Sequence, residues 1–172
     1  MRRRDSAIVS LALGMLSAAS ITAWRIAAAD AAAASTASSA PAPAPYSPSL
    51  GDLMTMAVQP RHTKLGLAGE ARNWAYATYE LSELRNAFAR IARTIPLYRT
   101  ARTADLFATM TQAPLAAVNA AIAARDGMKF KSAYARLTAA CNACHLSLDH
   151  AAIVIRVPGR GVYPDQRFEP AR

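Results

Sequence analysis

The chain has 172 residues and a formal net charge of +9, from 20 Lys and Arg against 11 Asp and Glu, and only two cysteines. Once its first few dozen residues are set aside, that length holds one compact domain and excludes a second core. A basic balance of this kind bears on solubility and encounter more than on function, and no third cysteine competes with Cys141 and Cys144.

Met1-Arg2-Arg3-Arg4, followed by the apolar run from Ala7 to Ala23, has the charged start and hydrophobic middle of a secretory signal peptide. Ala27, Ala28 and Ala29 offer a cleavage site, so residues 1–29 read as an export signal. An uncleaved anchor is the alternative, because Ala7 to Trp24 approaches the length that spans a bilayer, but its many Ala and Ser make a weak membrane helix. Removing Arg2, Arg3, Arg4, Arg25 and Asp5 takes the basic and acidic totals from 20 and 11 to 16 and 10, which leaves a net +6. Arg85, Arg90, Arg93, Arg99 and Arg102 crowd one segment, suited to an acidic protein partner or an anionic surface. Export argues against nucleic acid.

Residues 30–48 are almost wholly Ala, Ser and Pro, have little to bury, and read as a flexible linker. Ser49 with Asp52 forms a capping box that opens a first helix reaching about Arg72, in which Pro60 predicts a kink and Gly66 and Gly69 loosen the end. Asn73 caps a second helix whose Trp74, Ala77, Leu81, Leu84, Phe88, Ile91 and Ile95 recur in steps of three and four, a seam built to pack on another helix. At roughly 1.5 to 3 kcal/mol per fully buried large side chain the seam gains on the order of 10 kcal/mol. Ordering about 20 residues of backbone costs as much or more, so this helix needs partners. Pro96 ends it.

A third helical region starts near Thr103, with a kink or break expected at Pro114, and Asp126-Gly127 reads as its C-terminal stop. The fourth helix carries Phe130, Tyr134, Leu137, Cys141, Cys144 and Leu148 in steps of four, three, four, three and four. Residues 151–172, rich in Pro and Gly but carrying Ile153, Val154, Ile155, Tyr163 and Phe168, read as an extended tail able to lie back on the helices. Four helices with short connections predict an all-α fold, an antiparallel four-helix bundle spanning residues 49–150, plus the irregular C-terminal extension.

On the last helix stands Cys141-Asn142-Ala143-Cys144-His145, the Cys-x-x-Cys-His pattern of covalent c-type haem attachment. Two thiols one turn apart can each form a thioether to a vinyl group of the ring, and the next residue supplies an imidazole to the iron. Cys141 and Cys144 are thus the haem-binding residues and His145 the proximal iron ligand. A structural zinc site needs four N or S ligands, with only His145, His150 and His62 available beside the thiols, and a thioredoxin-like pair expects alternating strands and helices. The seam predicts that the motif points into the core.

A bundle with Cys141, Cys144 and His145 on its last helix resembles the class II c-type cytochromes, the cytochrome c-prime group and its low-spin relatives, over about Ser49 to His150. The chain is also similar to small exported haem proteins with segments like Met54 to Gly69 and Asn73-Trp74 to Glu83. The resemblance implies haem c with its iron, a sixth position facing the first helix, and pairing of two copies through the first two helices. It departs from the cytochrome c-prime pattern in having no arginine before Met54 in the first helix, so that Arg61 or Arg72 would meet a haem propionate, and in the length of the tail.

The candidates for the sixth ligand are Met54, then His62, then Met56, with an open position as the alternative. The expected function is a periplasmic monohaem cytochrome, not an enzyme, that carries single electrons between redox proteins without a membrane span in the mature chain. The alternative is a haem protein that binds a diatomic gas, NO or CO. No Ser-His-Asp set, paired-carboxylate site or phosphate loop is evident.

Overall fold

The computed structural model describes residues 45–171 apart from 160, 162 and 164, so the expected export signal and residues 30–44 of the expected linker lie outside the described residues. Contacts divide the chain after Tyr46, and the unit from Ser47 to Arg172 holds every described helix. That unit is all-α apart from one two-stranded ribbon.

The Ser49 capping box forms. Asp52 N–H donates to Ser49 Oγ at 3.1 Å while Ser49 N–H donates to Asp52 Oδ2 at 2.9 Å, so two backbone donors at the helix start are satisfied. Three segments then run on without a break and are together α1: the α-helical Leu50–Leu53, a π-helical turn Met54–Val58, and the α-helical Gln59–Glu70. The π turn stands where Pro60 predicts a kink. Proline has no N–H for the carbonyl of Met56 four residues back, and its ring crowds that carbonyl. Widening the preceding turn, with Gln59 N–H donating to Met54 O, relieves both.

The glycines of α1 do not loosen it, because they are buried contact points. A Cβ on Gly66 would lie 2.6 Å from Tyr134 Cζ, and one on Gly69 would lie 2.0 Å from the Phe130 ring. Only hydrogen side chains let α1 approach those two aromatic rings so closely.

Asn73 accepts from Tyr76 N–H at 3.2 Å and caps α2, Trp74–Thr94. Its seam is as expected: Ala77, Leu81, Leu84, Phe88 and Ile91 are buried, with Trp74 and Ile95 half-buried at the ends. Past Pro96, β1 (Leu97–Tyr98) pairs antiparallel with β2 (Ala101–Arg102), and Arg99 takes a positive φ of 53° at the turn. Helix α3, Thr103–Ala123, continues through Pro114 without the expected break. Phe107 and Thr111 before the proline and Leu115, Val118 and Ile122 after it are all buried, and that packing outweighs one lost backbone bond. Its length and apolar composition would also suit a membrane span, yet the same side chains serve its contacts with α2 and α4.

Asp126-Gly127 opens a helix and does not close one. Asp126 Oδ1 accepts from Met128 N–H and Lys129 N–H, each at 3.0 Å, to cap α4, Gly127–Ser147. The left-handed position that ends α3 falls on Arg125, with φ 51°. Helix α1 packs on α2 and α4, α2 also packs on α3, and α3 on α4, so each helix covers part of two others.

Candidate functional site

Along α4 the seam is closed at first and opens toward its end. Phe130 and Tyr134 are each 3% exposed and Leu137 is 0%, but Cys141, Cys144, His145 and Leu148 are half-buried. The motif therefore sits at the margin of the core, whereas the seam predicts that it points inside. Both thiols are free. Burial, and then the neighbouring Cys144, pushes the Cys141 thiol up to about 11, and burial also raises Cys144. The negative end of the α4 dipole works in the same direction. Protonated thiols are the opposite of what a dithiol redox pair needs, since its attacking sulfur must be a thiolate at neutral pH. Among the described residues no three His, Cys, Asp or Glu side chains gather as a metal cluster, so the four-ligand zinc alternative is not assembled either.

The imidazole is held by the tail. His145 Nδ1 lies 2.8 Å from Ile153 O, and because a carbonyl only accepts, Nδ1 carries the hydrogen. With the hydrogen on Nδ1, the ring's other nitrogen, Nε2, is the atom available to a metal. Asn142, inside the motif, grips the same tail segment: its Nδ2 donates to Ile155 O at 2.9 Å and its Oδ1 accepts from Ile155 N–H at 2.7 Å. The run Ile153-Val154-Ile155 is strand-like in composition, and among these contacts a side chain takes the place of a partner strand.

Across from α4, the first helix places its candidates differently. His62 is 3% exposed and stacks on Tyr134 with ring centroids 4.8 Å apart. Tyr134 Oη–H donates to His62 O at 2.7 Å, which leaves its oxygen to accept from His62 Nδ1–H at 3.0 Å. Nε2 then accepts from the Thr138 hydroxyl at 3.0 Å, whose one hydrogen is shared with Tyr134 O at 3.1 Å. Burial lowers the His62 pKa to about 4, so the ring is neutral, and both its nitrogens are already engaged. Met54 is partly buried against the core, whereas Met56 is 60% exposed.

The contacts of His62 with Thr138 and Tyr134, Gly66 with Tyr134, and Gly69 with Phe130 show α1 running antiparallel to α4. Extrapolated toward the N-terminus, that register would bring Val58 toward Cys141 and Met54 toward Cys144 and His145, while the π turn itself packs on α2. The π turn matters for the second placement. Eight residues make about 2.2 turns of ideal α-helix, and a turn that absorbs one extra residue brings Met54 close to two turns before His62, on its face.

Of the two arginines expected near a propionate, Arg61 is already paired. Arg61 Nη1 lies 3.2 Å from Glu80 Oε2, with Glu80 only 1% exposed, and Arg61 Nη2 lies 3.8 Å from Glu83. Arg72 occupies the positive-φ position after α1, at 55°, and its guanidinium reaches Gly127 at the start of α4. His150 hydrogen-bonds Tyr98 of the ribbon at 2.9 Å, and Arg99 pairs with Asp149 at 2.6 Å, which ties the α2–α3 connection to the end of α4. A cleft of about 560 Å³ between α2 and α3, walled by Phe88, Phe107 and Leu115 with Arg85 at its edge, contains no motif residue.

Sequence reasoning passed over Asn142, Thr138, Glu80 and the backbone carbonyl of Ile153. Asn142 had a signal in its position inside the motif; a main-chain carbonyl carries none. The donor set, two reduced thiols one turn apart and an imidazole whose Nε2 is unoccupied by any hydrogen bond shown, suits a c-type haem chemically. Compared with known proteins, the chain matches no family, no curated protein and no solved structure.

Proposed function

We propose that this is an exported, single-haem c-type cytochrome that carries electrons one at a time in the periplasm. Its helices form an antiparallel four-helix bundle with haem c joined to Cys141 and Cys144 on α4. The bound group supplies a one-electron iron couple; the chain's part is to fix the ligands, limit water and set the potential. His145 Nε2 and the Met54 thioether would hold the iron, since Met54 is partly buried on α1 while His62 is held by Tyr134 and Thr138 and Met56 is outward. Exposed Arg93, Arg102 and Arg156 favour an acidic redox partner.

The observation that carries this reading is the hydrogen bond from His145 Nδ1 to Ile153 O, beside two free thiols one turn apart. It leaves Nε2 as a prepared ligand atom, an arrangement of no use to a dithiol redox centre. The test is the absorption spectrum of the protein produced with haem-attachment machinery, oxidised and reduced, with and without CO. A low-spin spectrum with the long-wavelength band of thioether ligation, unchanged by CO, is the expected result. A high-spin spectrum shifted by CO would move the assignment to an open iron that binds a diatomic gas. Absence of covalent haem would end both.

A further inference from the structure

We infer that the segment Ile153–Ile155 is a strap that fixes the ring of His145, and that Asn142 is the positioning residue that fastens it. The purpose of the strap, presenting Nε2 to an iron, rests on the cytochrome reading; its geometry does not. Asn142 and His145 are three residues apart on α4 and so share a face. Asn142 makes the two-point pairing with the Ile155 peptide that a neighbouring strand would make, which sets both the position and the direction of the segment. Two residues earlier, Ile153 O accepts from His145 Nδ1, and Ile153 N–H is in turn tied to His150 O at 2.9 Å. The peptide that orients the imidazole is therefore anchored on both sides.

The rest of the tail keeps the strap in place. A Cβ on Gly66 would lie 2.8 Å from Pro158 Cγ, so the tail crosses α1 at its glycine contact. Beyond it, Phe168 is 9% exposed and lies against Tyr76, with centroids 5.8 Å apart, and Gln166 donates to Tyr76 Oη. An extended segment with no strand partner would otherwise lose its order to backbone entropy.

The chemical consequence concerns one hydrogen. While Ile153 O accepts from Nδ1, the hydrogen is kept off Nε2 and the ring donates more strongly through Nε2. Without the strap the ring rotates and exchanges tautomers, and a hydrogen on Nε2 blocks ligation.

The test uses the full-length protein as purified from cells that attach haem. Exchange of the His145 Nδ1–H with D2O is followed by NMR, and the midpoint potential by redox titration, with far-UV circular dichroism as the check on helicity. Asn142→Ala, with helicity kept, is expected to speed exchange about tenfold or more, because two hydrogen bonds that hold the strap are lost. It should also move the potential positive, since a less basic imidazole stabilises the oxidised iron less. Asn142→Asp keeps the acceptor for Ile155 N–H and should fall between, and Asn86→Ala, on the exposed face of α2 with its side chain bonded to Glu83, should change neither reading. A chain ending at Ala152 removes the acceptor outright and should give the largest exchange rate.

Unchanged exchange in both Asn142→Ala and the chain ending at Ala152 would overturn the strap. A wild-type protein without covalent haem would overturn the cytochrome reading instead, and the exchange rate of His145 would still decide the strap.

Discussion

His62 and Met54 lie about two turns apart on α1, and their surroundings assign them different work. His62 is neutral, buried and hydrogen-bonded at both nitrogens, which makes it a structural link between α1 and α4. Met54, with a thioether that has no hydrogen-bond demand, is the side chain whose ligation costs no existing bond. Met54→Ala is expected to abolish the thioether band and give a high-spin, CO-sensitive spectrum with helicity retained. His62→Ala should leave the spectrum low-spin and instead cost on the order of 1 to 3 kcal/mol in a denaturant titration, because the Tyr134 and Thr138 hydroxyls lose a buried partner. The reverse pattern would make His62 the ligand.

The depressed pKa of His62 also fixes how stability depends on pH. The unfolded imidazole takes up a proton near 6.5 and the folded one only near 4, so the unfolded state binds more protons between those values. Stability is therefore full above about pH 6.5, falls as pH drops through that window, and levels off below about 4. A difference of that size amounts to about 3 kcal/mol, and His62→Gln should flatten this part of the profile in urea titrations between pH 7 and 4.

Elements whose logic is local could be read directly from the chain. Ser49 with Asp52, Asn73 before α2, and the steps of three and four from Trp74 to Ile95 each need only their own neighbours, and each forms as expected. Elements whose meaning depends on a distant partner could not. Gly66 and Gly69 read as weak points until Tyr134 and Phe130, more than 60 residues away, are placed against them. Glu80 interrupts the α2 pattern because its partner Arg61 lies on α1, and the ribbon after Pro96 has no Gly or Asn-Gly turn to announce it.

The glycines give a test in which two effects oppose. Helix propensity alone favours Gly69→Ala by about 1 kcal/mol, whereas a Cβ placed 2.0 Å from the Phe130 ring forces repacking at about 1 to 3 kcal/mol. The contact is close enough that repacking should win, so Gly69→Ala is expected to lower the melting temperature. Gly69→Ala with Phe130→Leu should recover part of the loss, and a stabilised single variant would mean that α1 does not lie on α4 in this register.

For the whole molecule, the motif and the tail turn out to be one unit. In the sequence, Cys141 to His145 and residues 151–172 appear as a site followed by a trailing extension. In the structure Asn142 and His145 hold the tail at Ile153 and Ile155, and the tail continues to the aromatic contacts of α2. The helix count and the place of the motif were legible because they follow from periodicity and spacing. The opening of the seam at Cys141 was not, because it depends on where α1 stops covering α4. The two cysteines also bear on stability: a cofactor bound only by the folded chain adds to its free energy of folding, so Cys141→Ala with Cys144→Ala should lower the melting temperature.

The central claim is that the two thiols carry haem. Its most direct test is the mass of the intact protein, exported from cells with haem-attachment machinery and denatured before measurement. The chain is expected to be heavier by one haem, with the increment lost in Cys141→Ala with Cys144→Ala. A wild-type chain of unmodified mass, made where a known c-type cytochrome is fully loaded, would contradict the account.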